Sequence, residues 1–153
     1  MEKISNPYRT LEGYDCFGCS PDNPIGLKME FYEDGDGVVS TWQPTKHYQG
    51  FKNVLHGGIQ ATMMDEIASW AVSCKLKTAG LTSRMEIRFL KPVHTHKGPV
   101  TLRAKIDSFP RKRLANVGVL LFNEEDILCA EAMVQYYIFP PDVAKERLNF
   151  RPA

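Results

Sequence analysis

The chain has 153 residues, 43% hydrophobic and 24% charged, with 19 basic against 18 acidic side chains. That length and balance suit a single soluble domain, residues 1–153, able to bury about two thirds of its unfolded surface. A net charge of +1 supplies no field for nucleic acid. No eighteen-residue apolar window for a membrane span and no signal-peptide core are present either, so a cytoplasmic protein is expected.

The first motif is CFGC, Cys16 to Cys19. A structural zinc site needs four ligands, and no second C-x-x-C or spaced histidine pair follows. Only His94 and His96 offer a complement. A redox pair belongs at a helix start after a strand, whereas turn formers follow here (SPDNPIG). Four cysteines in a reducing compartment stay thiols. A packed loop with no metal and no cofactor is the expectation.

The stretch LKMEFYEDGDGVVSTW alternates Leu27, Met29 and Phe31 with polar residues around EDGDG, predicting a hairpin. An irregular loop leads to His56. A long helix is expected from Gly58 to Leu76, with Gly80 near its C-terminal cap. Four strands follow, in TSRMEIRFLKPV, VTLRAKID, RLANVGVLLFN and ILCAEAMVQYYIF, each alternating apolar and polar residues. Their turns are HTHKGP, SFPRK and NEED. The polar tail 140–153 is open between a short helix and loose chain. One helix must cover the apolar faces of several antiparallel strands, so the fold class is α+β, a curved sheet wrapped around that helix. Its open edges point to self-association.

At 100° per residue, Thr62, Asp65, Glu66, Ser69 and Ser73 form a polar strip on the helix. Glu66 lies in its middle and is expected to face solvent. Asp65 lies at its edge beside Ala61 and Ala68, where a half-desolvated carboxylate suits a general base or nucleophile. Gly57 and Gly58 open the helix, whose first amides have no internal partners and can hold an oxyanion. With Asp65 further along, they suggest acyl transfer in one cleft. His56 is open between a general acid, a substrate-positioning group and a structural loop contact, of which positioning is preferred.

These residues carry a resemblance. HGGIQATMMDE on a long helix, preceded by CFGCSPDNPIGL and followed by TSRMEIRFLKPV, resembles the hotdog-fold thioesterases, specifically the PaaI-like (phenylacetate-degradation type) superfamily, over residues 14–139. The resemblance implies an acyl-CoA thioesterase that needs no metal and works as a homodimer or dimer of dimers with a shared cleft. It implies Asp65 as the catalytic acid, His56-Gly57-Gly58 as the turn that polarises the thioester carbonyl, and Thr82 as a hydroxyl acting across the dimer interface. Ser83 is a substitute for Thr82. The loop position where some relatives carry Asn or Gln is Gly50 here, so that contact is either absent or rebuilt by Gln49 or Asn53. The basic run Arg111-Lys112-Arg113 becomes a candidate for the phosphates of coenzyme A. Two alternatives use the same fold: a dehydratase pairing His56 with Glu66, and a non-catalytic acyl-CoA-binding module.

Overall fold

A computed structural model describes the whole chain, Met1–Ala153. Strands β1 (Glu2–Lys3), β2 (Tyr32–Asp34) and β3 (Gly37–Trp42) precede the long helix α1 (Gly57–Leu76). After it come β4 (Gly80–Phe89), β5 (Val100–Arg111), β6 (Leu114–Phe122), β7 (Leu128–Ile138) and a short helix α2 (Pro141–Leu148). All seven strands join one antiparallel sheet in the order β1-β2-β3-β5-β6-β7-β4. The helix thus carries the chain from β3 to the opposite edge, where β4 pairs with β7 and leaves its other side open.

The sheet closes on α1 because its inward register is apolar throughout. Val100, Leu102, Ala115, Val117, Val119, Leu121, Val134 and Tyr136 are all buried, and so are Met63, Met64, Ile67, Ala68 and Ala71 of the helix. The helix touches β3, β4, β5, β6 and β7. On the sheet's outer face the alternate residues stay charged and pair across strands, Arg103 with Asp34 at 2.8 Å and Arg88 with Glu131 at 3.0 Å.

The expected curved sheet around one helix is what the chain forms, with local differences. Leu27, Met29 and Phe31 are buried in alternation, but residues 27–31 join no ladder. Lys28 has a φ of 54°, which breaks strand geometry. The freed backbone groups go to the CFGC loop instead: the Leu27 N–H donates to the Phe17 carbonyl at 2.8 Å, and the Met29 N–H to that of Gly18 at 3.0 Å. The helix starts one residue earlier than expected, at Gly57, and its left-handed cap is Lys77 rather than Gly80. Gly80 is a glycine for another reason. It opens β4 so close to β7 that a Cβ would lie 2.2 Å from the Tyr137 carbonyl oxygen. The expected turn SFPRK is mostly strand; β5 runs through Pro110 by way of register shifts, leaving Lys112 and Arg113 as the tip.

The main correction concerns the polar strip of α1. It does not face water along its length, because the N-terminal segment lies over it. Trp70 stacks on Phe31 at 5.2 Å between centroids and meets Tyr8 edge-on at 6.4 Å. The tail resolves as α2, with Ala144 and Phe150 buried and Arg151 bonded back to the Pro7 carbonyl.

Ile67 is fully buried at the centre of α1, so Ile67→Ala should lower the unfolding free energy by about 2–5 kcal/mol. Urea denaturation checks this, with the exposed Ile25→Ala as a reference expected to shift by less than about 0.5 kcal/mol.

Candidate functional site

The entry to α1 is built by the loop before it. The Gly50 N–H bonds the Val54 carbonyl at 2.8 Å and the His56 N–H bonds that of Tyr48 at 3.0 Å, folding residues 48–56 into a compact turn. His56 is the N-cap, its Nδ1 accepting the Gly58 N–H at 2.8 Å, while its carbonyl takes the amides of Ile59 and Gln60. This corrects the reading of the glycine pair. Gly58 spends its amide on the cap, and His56 is a capping residue in the resting geometry. Only the Gly57 N–H meets no acceptor in the protein. It borders a hollow of about 350 Å³ lined by Gly50, Phe51, Val54, Leu55, His56 and Gly57, with Phe51 at its mouth 88% exposed. An unpaired amide at the positive end of a helix suits an oxyanion.

Asp65 is half-buried two turns along the helix. Thr82 Oγ1 donates to its Oδ1 at 2.8 Å and Tyr136 Oη donates to the same oxygen at 2.6 Å. Tyr136 also reaches the Asp65 carbonyl at 2.7 Å. Oδ1 is therefore held from the sheet by two hydroxyls, whereas Oδ2 has no protein donor. Burial, reinforced by the Asp65 charge, pushes the Tyr136 phenol up, so it remains a donor. The sequence reading treated Tyr136 as an ordinary inward residue. The available signal was its hydroxyl, which needs a partner when buried, opposite a helix with few polar residues. Thr82 reaches Asp65 within one chain. Ser83 does not share the role, since it sits at the β4 register shift and donates to Gln135 Oε1 at 3.1 Å.

The remaining candidates are dispersed. Asn53 is exposed in a left-handed conformation, φ 64°, and Gln49 Oε1 already accepts its N–H at 2.9 Å. Arg111, Lys112 and Arg113 are exposed at the β5–β6 hairpin. A second hollow, about 690 Å³, is a charged trough on the outer face of the sheet lined by Asp34, Arg88, Arg103 and Glu131 among others. It contains neither Asp65 nor the helix entry.

Glu66 is not solvated as expected. Its carboxylate lies inside the CFGC loop, accepting the Trp70 Nε1 proton at 3.2 Å and the Cys16 thiol at 3.4 Å. Burial pushes Glu66 up to about 7, and the neighbouring Cys16 adds to the shift. The thiol of Cys19, hydrogen-bonded to Cys16, holds Cys16 down at about 5, and the same contact together with burial drives Cys19 up. The donor atoms of Cys16, Cys19 and Glu66 all lie within 4.8 Å of one another, a grouping able to hold a metal ion. His94 and His96 pair with each other, 5.9 Å between ring centroids, and are not part of it.

Distances along α1 limit what one chain can do. Gly57 and Asp65 are eight residues apart, about 12 Å along the axis at 1.5 Å per residue. A reacting carbonyl must lie about 3 Å from both its attacking group and its oxyanion donor. The two groups of one chain therefore do not meet on one carbonyl. His56 and Glu66 are further apart still, about 15 Å, so they form no acid–base pair within the chain.

The thioesterase superfamily model matches residues 52–130, just over half of the chain, from the loop before α1 to the first residues of β7. The chain belongs to the thioesterase superfamily. An uncharacterized protein of Schizosaccharomyces pombe is 31% identical over 106 residues, covering 65% of this chain and 59% of that protein. The match thus spans less than two thirds of that relative's length. Among solved structures, a thioesterase from Haemophilus influenzae is 23% identical, with a TM-score of 0.67 over 74% of this chain and 79% of its own. A hypothetical thioesterase from Streptococcus pneumoniae, solved with coenzyme A, is 20% identical, also with a TM-score of 0.67, over 74% of this chain and 87% of its own. These likenesses establish the hotdog fold.

The shift of Glu66 has a consequence for stability. Its native value of about 7 lies above the ordinary carboxyl value of 4.5, so the folded state holds the proton more tightly than the unfolded one. That contribution is fully present below about pH 4.5 and is lost as pH rises through 7. In chelator-treated protein the unfolding free energy should therefore decline over this window, by at most roughly 3 kcal/mol. Urea denaturation at a series of pH values measures the decline. Glu66→Gln should flatten it.

Proposed function

We propose that the chain is an acyl-CoA thioesterase of the PaaI-like type, hydrolysing a thioester to a free acid and coenzyme A. The observation that carries this reading is the Asp65 carboxylate. Two hydroxyls fix Oδ1, at 2.8 and 2.6 Å, and leave Oδ2 as a directed, partly desolvated oxygen. Such an oxygen either takes a proton from an attacking water or attacks the thioester carbon itself. The developing oxyanion is received by the Gly57 N–H at the start of α1, and the thiolate of coenzyme A departs. His56 holds that turn through the Gly58 amide.

Because the two groups are about 12 Å apart in one chain, the working site takes Asp65 from one protomer and Gly57 from another. A homodimer is thus the minimal enzyme. The open edge of β4, which also carries Thr82, is the surface through which a second copy would join. The coenzyme A in the Streptococcus pneumoniae protein supports this substrate class. So does the fact that two further structures of that protein carry an aspartate or a threonine replaced by alanine, the residue types paired here at Asp65 and Thr82. Arg111, Lys112 and Arg113 are proposed to meet the nucleotide phosphates, and a cytoplasmic location fits four cysteines that are all free thiols.

Thiol release from acetyl, medium-chain, long-chain and aryl CoA thioesters, followed by chromatography, tests the reaction. Asp65→Asn should reduce kcat by at least about 100-fold with the circular dichroism unchanged. Gly57→Pro removes the amide proton, at a position where proline suits a helix, and should cost about 100- to 1000-fold. Mixing these two inactive variants should restore turnover, since each mixed dimer contains one intact site. Two inactive variants that stay inactive when mixed would exclude the shared site. Binding of acyl-CoA without hydrolysis by the parent would instead indicate a binding module.

Tyr136→Phe keeps the ring and removes one of the two donors to Oδ1. It should lower kcat roughly tenfold with KM little changed, about the worth of one charge-assisted hydrogen bond. Steady-state kinetics on the best thioester checks this split.

A further inference from the structure

The CFGC loop has no part in the proposed hydrolysis, yet it is built around one residue of α1. Cys16, Cys19 and Glu66 come from sequence positions fifty apart and bring two sulfurs and a carboxylate oxygen within 4.8 Å of one another. Gly18 makes the approach possible: a Cβ there would lie 2.5 Å from the Glu66 carboxyl. The loop therefore contains a glycine where the carboxylate needs room.

The polar groups surrounding the cluster are donors. The Tyr8 N–H donates to Asn6 Oδ1 at 3.0 Å, which fixes the amide so that Nδ2 donates to Tyr14 Oη at 3.1 Å. The Tyr14 hydroxyl proton is then left to go to Cys19 Sγ, 2.9 Å away. Trp70 Nε1, which can only donate, points at Glu66 Oε1. Glu66 forms no ion pair, and no lysine or arginine hydrogen-bonds either thiol. A neutral thiol is a poor acceptor, whereas donors aimed at sulfur and carboxylate are the usual outer partners of metal ligands. A site of acidic groups, ringed by donors and lacking a cation, lacks its countercharge.

We propose that Cys16, Cys19 and Glu66 bind one zinc ion, or a similar thiophilic divalent cation, which staples the N-terminal segment to α1. Zinc bonds of about 2.3 Å to sulfur and 2.0–2.2 Å to oxygen place tetrahedral S and O ligands about 3.5 Å apart. The Cys16 Sγ to Glu66 Oε1 separation is 3.4 Å. Cys19 is buried, and the fourth position falls to water. The staple holds the segment that covers Trp70 against the helix turn in which Glu66 follows Asp65.

The test uses the full chain, purified under reducing conditions from zinc-supplemented cells. Elemental analysis should find about one zinc per chain. Cys16→Ser, Cys19→Ser and Glu66→Gln should each lower that content at least fivefold, while the His94→Ala/His96→Ala double variant should retain it. Cobalt added to chelator-stripped protein should give a thiolate-to-metal charge-transfer band. Should the variants fail to fold, the parent alone decides. Zinc should slow alkylation of Cys16 at least tenfold relative to chelator, read by peptide mass spectrometry, with no change at Cys129. Equal alkylation rates would overturn the site. So would zinc that disappears with the two histidines, or recovery of a Cys16–Cys19 disulfide without metal, which would mark a redox pair instead.

Discussion

The architecture depends on one helix being the only element that can fill the concave face of one sheet. Met63, Met64, Ile67, Ala68 and Ala71 are buried, and the sheet supplies their partners from five strands. With so much of α1 covered, each polar side chain it carries needs a defined partner, because an unpaired buried polar group costs about 1–3 kcal/mol. Asp65 receives two hydroxyls from β4 and β7, Glu66 receives the indole and the thiol loop, and Gln60 Nε2 donates to the Leu55 carbonyl, although Gln60 Oε1 is buried without a partner. Most of the chemistry in this fold follows from that allocation.

Asp65 and Glu66 illustrate it. They are adjacent in sequence, so the helix turns them about 100° apart. That rotation points one at the sheet and the other at the N-terminal segment. Asp65 keeps one oxygen unbonded beside two fixed donors, a geometry suited to reaction. Glu66 is enclosed by sulfur, indole and a glycine loop, a geometry suited to holding. Gly18 is needed there, since a Cβ on it would lie 2.5 Å from the Glu66 carboxyl.

The helix also sets the scale of the site. Its start provides one unpaired amide, at Gly57, because His56 takes up that of Gly58. Its pitch then carries Asp65 too far away to act on the same carbonyl. The proposed hydrolysis thus calls for a second copy to bring the complementary half, and the uncovered edge of β4 is where the sheet can extend.

Much of the fold was legible in the sequence. The 3.6-residue period placed α1 to within one residue, and strict alternation placed the four strands after it. The same period separated Asp65 from Glu66 by orientation. It could not assign their surroundings, because rotation about a helix axis says which way a side chain points and not what covers it. The bond from Tyr136 to Asp65 joins residues 71 apart, and that from Cys16 to Glu66 residues 50 apart. Spacing and propensity are local quantities and cannot register such pairs. The sequence by itself determined the elements, their apolar faces and the glycine entry to the helix. Tertiary structure alone decided which amide stays free, which acid is held for reaction and which is enclosed, since each depends on groups that only folding brings within hydrogen-bond distance.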